Sequence, residues 1–245
     1  MRPISAAALL DVWEEGQGQT SAGRALALLR AADDGISPDA LASLAIGRRD
    51  WRLLVLREWM FGTRLIGIAA CVNCNEQLEW SAEIPQLRLP EEPEQPQDLF
   101  VEKDRYRIYF RLPNSLDLLA ITACTEPAEA RTRLLQRCVA GIEPADESIL
   151  PDELAADVAD VIVDRMSEAD PQANIELDLT CAQCGHRWQV LFDIESFLWS
   201  EINVWARRTL KEIHSLARAY GWSEREILNL SPRRRHFYLN LIHNS

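Results

Sequence analysis

The chain has 245 residues, 47% of them hydrophobic, enough for one large domain or two small ones around a substantial core. Thirty-eight Asp and Glu against 26 Lys and Arg leave a net charge of −12, which disfavours a nucleic-acid binder, because phosphate affinity comes mainly from Lys and Arg. No apolar run approaches the length of a membrane span, and Met1-Arg-Pro-Ile-Ser5 leads into an amphipathic helix without the apolar stretch of a secretory signal, so the expectation is a soluble cytoplasmic protein.

The first sixty residues read as helices. Ser5 caps a segment through Trp13, and Ser21 to about Ala32 is rich in Ala and Leu. Ser37-Pro38 sets a cap before a proline at the first helical position. A further helix runs from about Asp50 to Phe61, and Trp51, Leu54, Val55, Leu56 and Trp59 give it enough apolar coverage to be well buried. The pair Cys71-Val-Asn-Cys74 follows. Asn75 behind it tolerates positive φ, and Leu78, Trp80, Ala82 and Ile84 then alternate as in a half-buried strand. Pro90 to Asp98 is rich in Pro and Glu and reads as a linker.

Next comes a second alternation, Tyr106, Ile108, Phe110 and Leu112 against Arg105, Arg107, Tyr109 and Arg111: a strand with one apolar and one mostly cationic face. Leu112-Pro-Asn-Ser115 ends it and caps a helix to about Ala123. Helices follow over Pro127 to Cys138 and Pro151 to Met166, the latter with Leu154, Val158, Val161 and Ile162 on one side and acids on the other. A strand through Ile175, Leu177 and Leu179 leads to Cys181-Ala-Gln-Cys184, then Gly185, then the alternation Trp188, Val190, Phe192, Ile194. The longest helix spans about Ser196 to Tyr220, striped by Leu198, Ile202, Trp205, Ile213, Leu216 and Tyr220, with Gly221 as its stop. Ser223 with Glu226 makes a capping box for a short helix to Leu230, and Ser231-Pro232 opens the last helix. Charge is uneven: residues 143–170 carry ten acids and one Arg, whereas 206–245 carry eight bases and three acids. Such a split favours intramolecular pairing or a complementary protein partner.

The two Cys-x-x-Cys pairs share one local grammar, and together they imply one tetrahedral site of four thiolates, Cys71, Cys74, Cys181 and Cys184, built like a zinc ribbon. Redox motifs or disulfides are the alternatives, and the lack of a signal peptide argues against disulfides. Four thiolates close the coordination sphere of Zn2+, which makes the zinc structural rather than catalytic. His186 could replace a ligand or sit beside the site. Cys124 and Cys138 fall in helical segments without partners at ligand spacing and read as buried small apolar residues. No Gly-rich phosphate loop, Gly-x-Ser-x-Gly elbow or His-Glu-x-x-His occurs, and none of the four His sits beside a plausible nucleophile, so the chain reads as a non-enzyme.

The expected fold is α+β and mainly α-helical. Residues 1–70 and 190–245 form a helical body, 71–87 and 173–192 a split zinc-ribbon-like β element, and 98–170 an inserted lobe of strand and helix.

Cys181-Ala-Gln-Cys184-Gly-His-Arg-Trp188, Phe192-Asp-Ile-Glu-Ser-Phe-Leu-Trp199, Tyr220-Gly-Trp-Ser-Glu-Arg-Glu-Ile-Leu228 and Ser231-Pro-Arg-Arg-Arg235 together resemble the T4-family baseplate hub assembly chaperones of contractile phages and phage-derived clusters. Ser5-Ala-Ala-Ala-Leu-Leu-Asp-Val-Trp-Glu14, Leu56-Arg-Glu-Trp59 and Phe110-Arg-Leu-Pro-Asn-Ser-Leu-Asp117 extend the likeness over nearly the whole chain. The resemblance implies a non-enzymatic role in building the hub of a contractile tail baseplate, in the cytoplasm of the bacterial host. Its partners would be hub or other tail proteins. Trp222, Arg233, Arg234 and Arg235 are then candidate partner contacts, with Trp222 alternatively packing the last helical hairpin. A structural baseplate component and a zinc-ribbon nucleic-acid adaptor are the rival functions.

Overall fold

The computed structural model describes residues 1–103, 106–143 and 156–243. The N-terminal helices are α1 (Ala6–Glu15), α2 (Ser21–Ala32), α3 (Pro38–Ala42) and α4 (Ile46–Phe61). Ser5, Thr20 and Ser37 cap the first three by accepting an N–H one turn on, and α2 spans Ser21 to Ala32 as expected. Helix α4 begins four residues before Asp50 and has no side-chain cap. A tertiary contact replaces the cap: Ala45 bridges to Asn114, and the Ile46 N–H donates to the Pro113 carbonyl at 3.1 Å.

Two hairpins frame the cysteines. Strand β1 (Arg64–Ala70) pairs antiparallel with β2 (Gln77–Glu83), Ala70 opposite Gln77. β1 has no counterpart in the sequence reading. Its inward positions are Leu65, Gly67 and Ala69, two of them too small to register as an apolar alternation. Gly67 lies opposite Trp80, and a Cβ there would collide with the indole ring. Ile84, expected to end the strand, opens the short helix α5 (Ile84–Leu87) instead, because Glu83 and Gln86 form a capping box around Pro85.

The expected linker is a strap sewn onto α4. The Trp51 indole N–H donates to the Leu89 carbonyl at 2.9 Å, Glu92 holds Arg48 and Arg52 at 2.6 and 2.8 Å, and Gln95 accepts the Ala45 N–H. Beyond it, β3 (Leu99–Lys103), β4 (Tyr106–Phe110), α6 (Ser115–Ile121), α7 (Pro127–Cys138), β5 (Val139–Glu143) and α8 (Ala156–Ala169) form the inserted lobe, with sheet order β3-β4-β5. Only the central strand was legible in sequence. Ile108 and Phe110 are buried as expected and Arg107 faces outward onto Glu102, while Arg105, Leu154 and the start of the acidic helix lie outside the described residues. Leu99, Val101, Ile108, Phe110, Leu112, Leu135, Ala159 and Ile162 form one buried cluster with Ala45 at the start of α4.

The chain returns through a 3-10 turn at Pro171–Ala173 into the second hairpin, β6 (Glu176–Thr180) with β7 (Arg187–Leu191). Helix α9 (Ile194–Tyr220) starts two residues early, at an Asp193 cap, and stops at Gly221 with φ +69°. Helices α10 (Glu224–Leu228) and α11 (Pro232–His243) close the chain.

The alternation of Leu65, Leu177, Leu179 and Phe192 turns the inner faces of both hairpins into the same core that joins α1, α2, α4 and the start of α9. Trp80 meets Phe192 edge-on at 6.0 Å there. A second contact ties the chain's ends: the Trp13 indole N–H donates to Asn203 at 3.0 Å. The protein is thus α+β and mainly helical, with small antiparallel sheets and a cysteine cluster consistent with a zinc-ribbon-like element. Among the described residues no helix is long and apolar enough to cross a membrane.

Candidate metal centre

Each Cys-x-x-Cys pair occupies the turn of its hairpin, and the two turns are built alike. The Cys71 N–H donates to the Glu76 carbonyl and the Asn75 N–H to Cys71, both at 2.8 Å; the Cys181 N–H donates to His186 and the Gly185 N–H to Cys181, both at 2.9 Å. Reversing the chain this tightly requires positive φ just after the second cysteine. Asn75 at +59° and Gly185 at +72° supply it, as the sequence implied. The first cysteine of each pair is buried and the second exposed.

These turns bring four sulfurs within 4.8 Å of one another. Cys71 and Cys184 are 3.7 Å apart, Cys74 and Cys181 3.6 Å. Zn–S bonds of about 2.3 Å in a tetrahedron put sulfurs roughly 3.8 Å apart, whereas a disulfide needs about 2.05 Å. The donor set therefore fits a tetrahedral cation, and four thiolates suit a soft divalent ion. As thiols, two of the four are shifted in opposite directions. Cys184 is drawn down to about 6, first by the His186 N–H and then by the Asn73 side chain, whose amide points at its sulfur from 3.6 Å. Cys74 is pushed up to about 12: the Glu76 N–H lowers it, but Cys184, burial and the other two sulfurs outweigh that.

His186 stacks on Trp188 at 5.9 Å, and the four sulfurs alone make the cluster. Cys138 is buried at the end of α7, its thiol raised to about 11 by burial. Cys124 departs from expectation: it sits half-exposed in the loop after α6, because that helix ends at Ile121.

Of the candidate partner contacts, Arg233 and Arg234 are exposed on α11. Arg235 is buried instead, its guanidinium donating to Glu212 at 3.2 Å and to the Leu230 carbonyl at 2.9 Å, which pins α11 to α9. Trp222 is half-buried, stacked 4.7 Å from Tyr220 and edge-on to Tyr238 at 5.0 Å. Asn73, close to a sulfur, escaped the sequence reading, since nothing in a turn sequence says which amide will meet the opposite hairpin.

Residues 17–199, three quarters of the chain and both cysteine pairs, match the family model described as T4 bacteriophage base plate protein. The chain belongs to that family. The match to the base plate family takes in the strap, the inserted lobe and both hairpins, and ends at Trp199 in α9. No curated protein and no solved structure matched the chain.

Proposed function

We propose that this base plate family protein is a non-enzymatic assembly factor for the baseplate hub of a contractile phage tail or tail-like particle, with a structural Zn2+ held by Cys71, Cys74, Cys181 and Cys184. The observation that carries the reading is the pairing of the family with a sulfur cluster at tetrahedral spacing, 107 and 113 residues apart along the chain. Such a cluster would clamp the root of the inserted lobe to the helical body, so that both present fixed surfaces to other tail proteins. With four thiolates bound, no coordination position stays open for substrate, which supports architecture over catalysis. Arg233 and Arg234 supply charge for a partner contact.

The test is affinity purification of the tagged chain from bacteria expressing the neighbouring tail genes, with mass spectrometry of the eluate and of finished particles. Hub or baseplate proteins in the eluate, with this chain scarce in particles, is the expected result. Stoichiometric presence in particles would make it a structural subunit. An eluate without tail proteins would overturn the reading.

A further inference from the structure

Resting on the assembly reading, we infer that the C-terminal helices form a docking face, Arg207, Lys211 and Arg218 on α9 with Arg233, Arg234 and Phe237 on α11, for an acidic protein surface with an apolar centre on a baseplate subunit.

Elsewhere the chain's described cations are mostly paired. On α4, Arg48, Arg49, Arg52 and Arg57 each meet a carboxylate. Arg88, Arg107, Arg111, Arg131, Arg137 and Arg165 do the same. Before residue 200, Arg64 and Arg187 are the two described arginines with no such partner or other polar contact. After it the pattern inverts. Arg207, Lys211, Arg218, Arg225, Arg233 and Arg234 have no side-chain hydrogen-bond or ion-pair partner among the described residues, and all are exposed. The one nearby acid that pairs, Glu212, is engaged by Arg235 and Arg208.

Spacing orders these bases. Residues 207, 211, 214 and 218 recur at i, i+4, i+7 and i+11, one helix face, and every one is exposed: Arg, Lys, His, Arg. Like charges at that spacing repel, so the stripe costs the isolated helix stability and returns nothing within the chain. On α11 the inward residue Arg235 leaves the opposite face to Arg233 and Phe237, one turn apart; Phe237 is 61% exposed and Leu241 beyond it 45%. An exposed Phe237 one turn from the unpaired Arg233, together with the exposed bases of α9, offers what a protein contact uses: an apolar anchor, and charge that selects and orients an acidic partner. A nucleic acid fits less well, because the chain as a whole carries −12 and would repel phosphate away from this end.

The test repeats the tagged purification with three variants of the full chain. These are Arg207→Glu/Lys211→Glu/Arg218→Glu, Arg233→Glu/Arg234→Glu, and the control Arg64→Glu/Arg187→Glu, which reverses exposed unpaired bases elsewhere. Circular dichroism melting checks that each remains folded. We expect the first two to carry at least about tenfold less of the baseplate protein that the parent carries, as for an electrostatically steered contact, while the control carries it undiminished. Phe237→Ser, at an exposed site, should weaken capture with Tm unchanged. Undiminished capture by both charge-reversal variants overturns the inference and leaves the assembly reading standing. No baseplate protein with the parent overturns both. A 20-base-pair DNA duplex retained by the parent and lost by the variants, or self-association lost in the same way, assigns the face to another occupant and also overturns it.

Discussion

Two features fasten the chain's distant segments, and they use opposite chemistry. The four sulfurs join residues 71–74 to 181–184 at the tips of two hairpins, half of them exposed. The arginines of α4 do similar work inside the molecule. Arg49 reaches Glu195 at 2.5 Å and Asp50 at 2.7 Å, and Arg57 grips Glu201 at 2.7 Å, tying α4 to α9 with charges supplied entirely by the chain. As a metal site, the sulfur cluster would draw its ion from outside, and two of its four cysteines are exposed. The arginine cluster is self-contained and fails only if a charge is removed from it. Loss of a bound ion would undo the first fastening, whereas the second responds to mutation of its charges and, through Asp50, to pH.

Metal removal should break the first fastening with the largest effect. Structural zinc contributes roughly 10–16 kcal/mol in small zinc modules, comparable to the whole stability of a typical domain, about 5–15 kcal/mol. Cys71→Ser/Cys181→Ser should lower zinc from one per chain to none by elemental analysis and drop Tm steeply; strong chelation should do the same. An unchanged melt after demonstrated metal loss would remove the zinc argument.

Next in size is Arg49→Met. It leaves Asp50 and Glu195 without their shared cation in a buried setting, a change worth about 3–5 kcal/mol, readable by urea denaturation.

The same cluster makes a pH prediction of smaller size. Burial pushes Asp50 up to about 7, Arg49 offsetting only part of it because Glu195 competes for the same guanidinium. An unfolded Asp ionises near 4, so between about pH 4 and 7 the folded chain holds the extra proton. Stability then falls as pH rises through that window, by at most about 1.4 kcal/mol per pH unit, and the loss is complete above it. Asp50→Asn should flatten the slope. Asp117 runs the other way: burial would raise it, but Arg111, the Asn114 N–H and Arg137 hold it low, so its contribution is lost only as pH drops below about 4.

Smaller still, Gly185→Ala should cost about 1–2 kcal/mol for forcing a Cβ into left-handed backbone, whereas Asn75→Gly should be near neutral. Arg233→Ala/Arg234→Ala should stay within about 0.5 kcal/mol of the parent, because nothing inside the chain uses those charges. That contrast with Arg49 separates arginines that build the molecule from arginines left for a partner.

What could be read beforehand follows from the range of the forces involved. The ligand set was legible because tight turns are local: Cys-x-x-Cys with Asn75 or Gly185 states its own backbone geometry. Helices α7 and α10 were legible through Pro127 and the Ser223–Glu226 box, since caps act within one turn. β1, β3 and β5 were not. Gly67 and Ala69 carry no apolar signature until Trp80 and Leu78 lie opposite them, and β3 and β5 gain their identity from pairing with β4.

By itself the sequence determined the α+β class, the four candidate ligands and the C-terminal excess of bases, because composition, turn chemistry and helix periodicity are written in neighbouring residues. Only the tertiary structure decided that the Pro-rich segment is a strap bound to α4, that Arg235 is spent on Glu212 while Arg233 and Arg234 are not, and that the sulfurs of two hairpins meet. Those outcomes depend on which groups separated by dozens of residues come within bonding distance, and no local pattern encodes that distance.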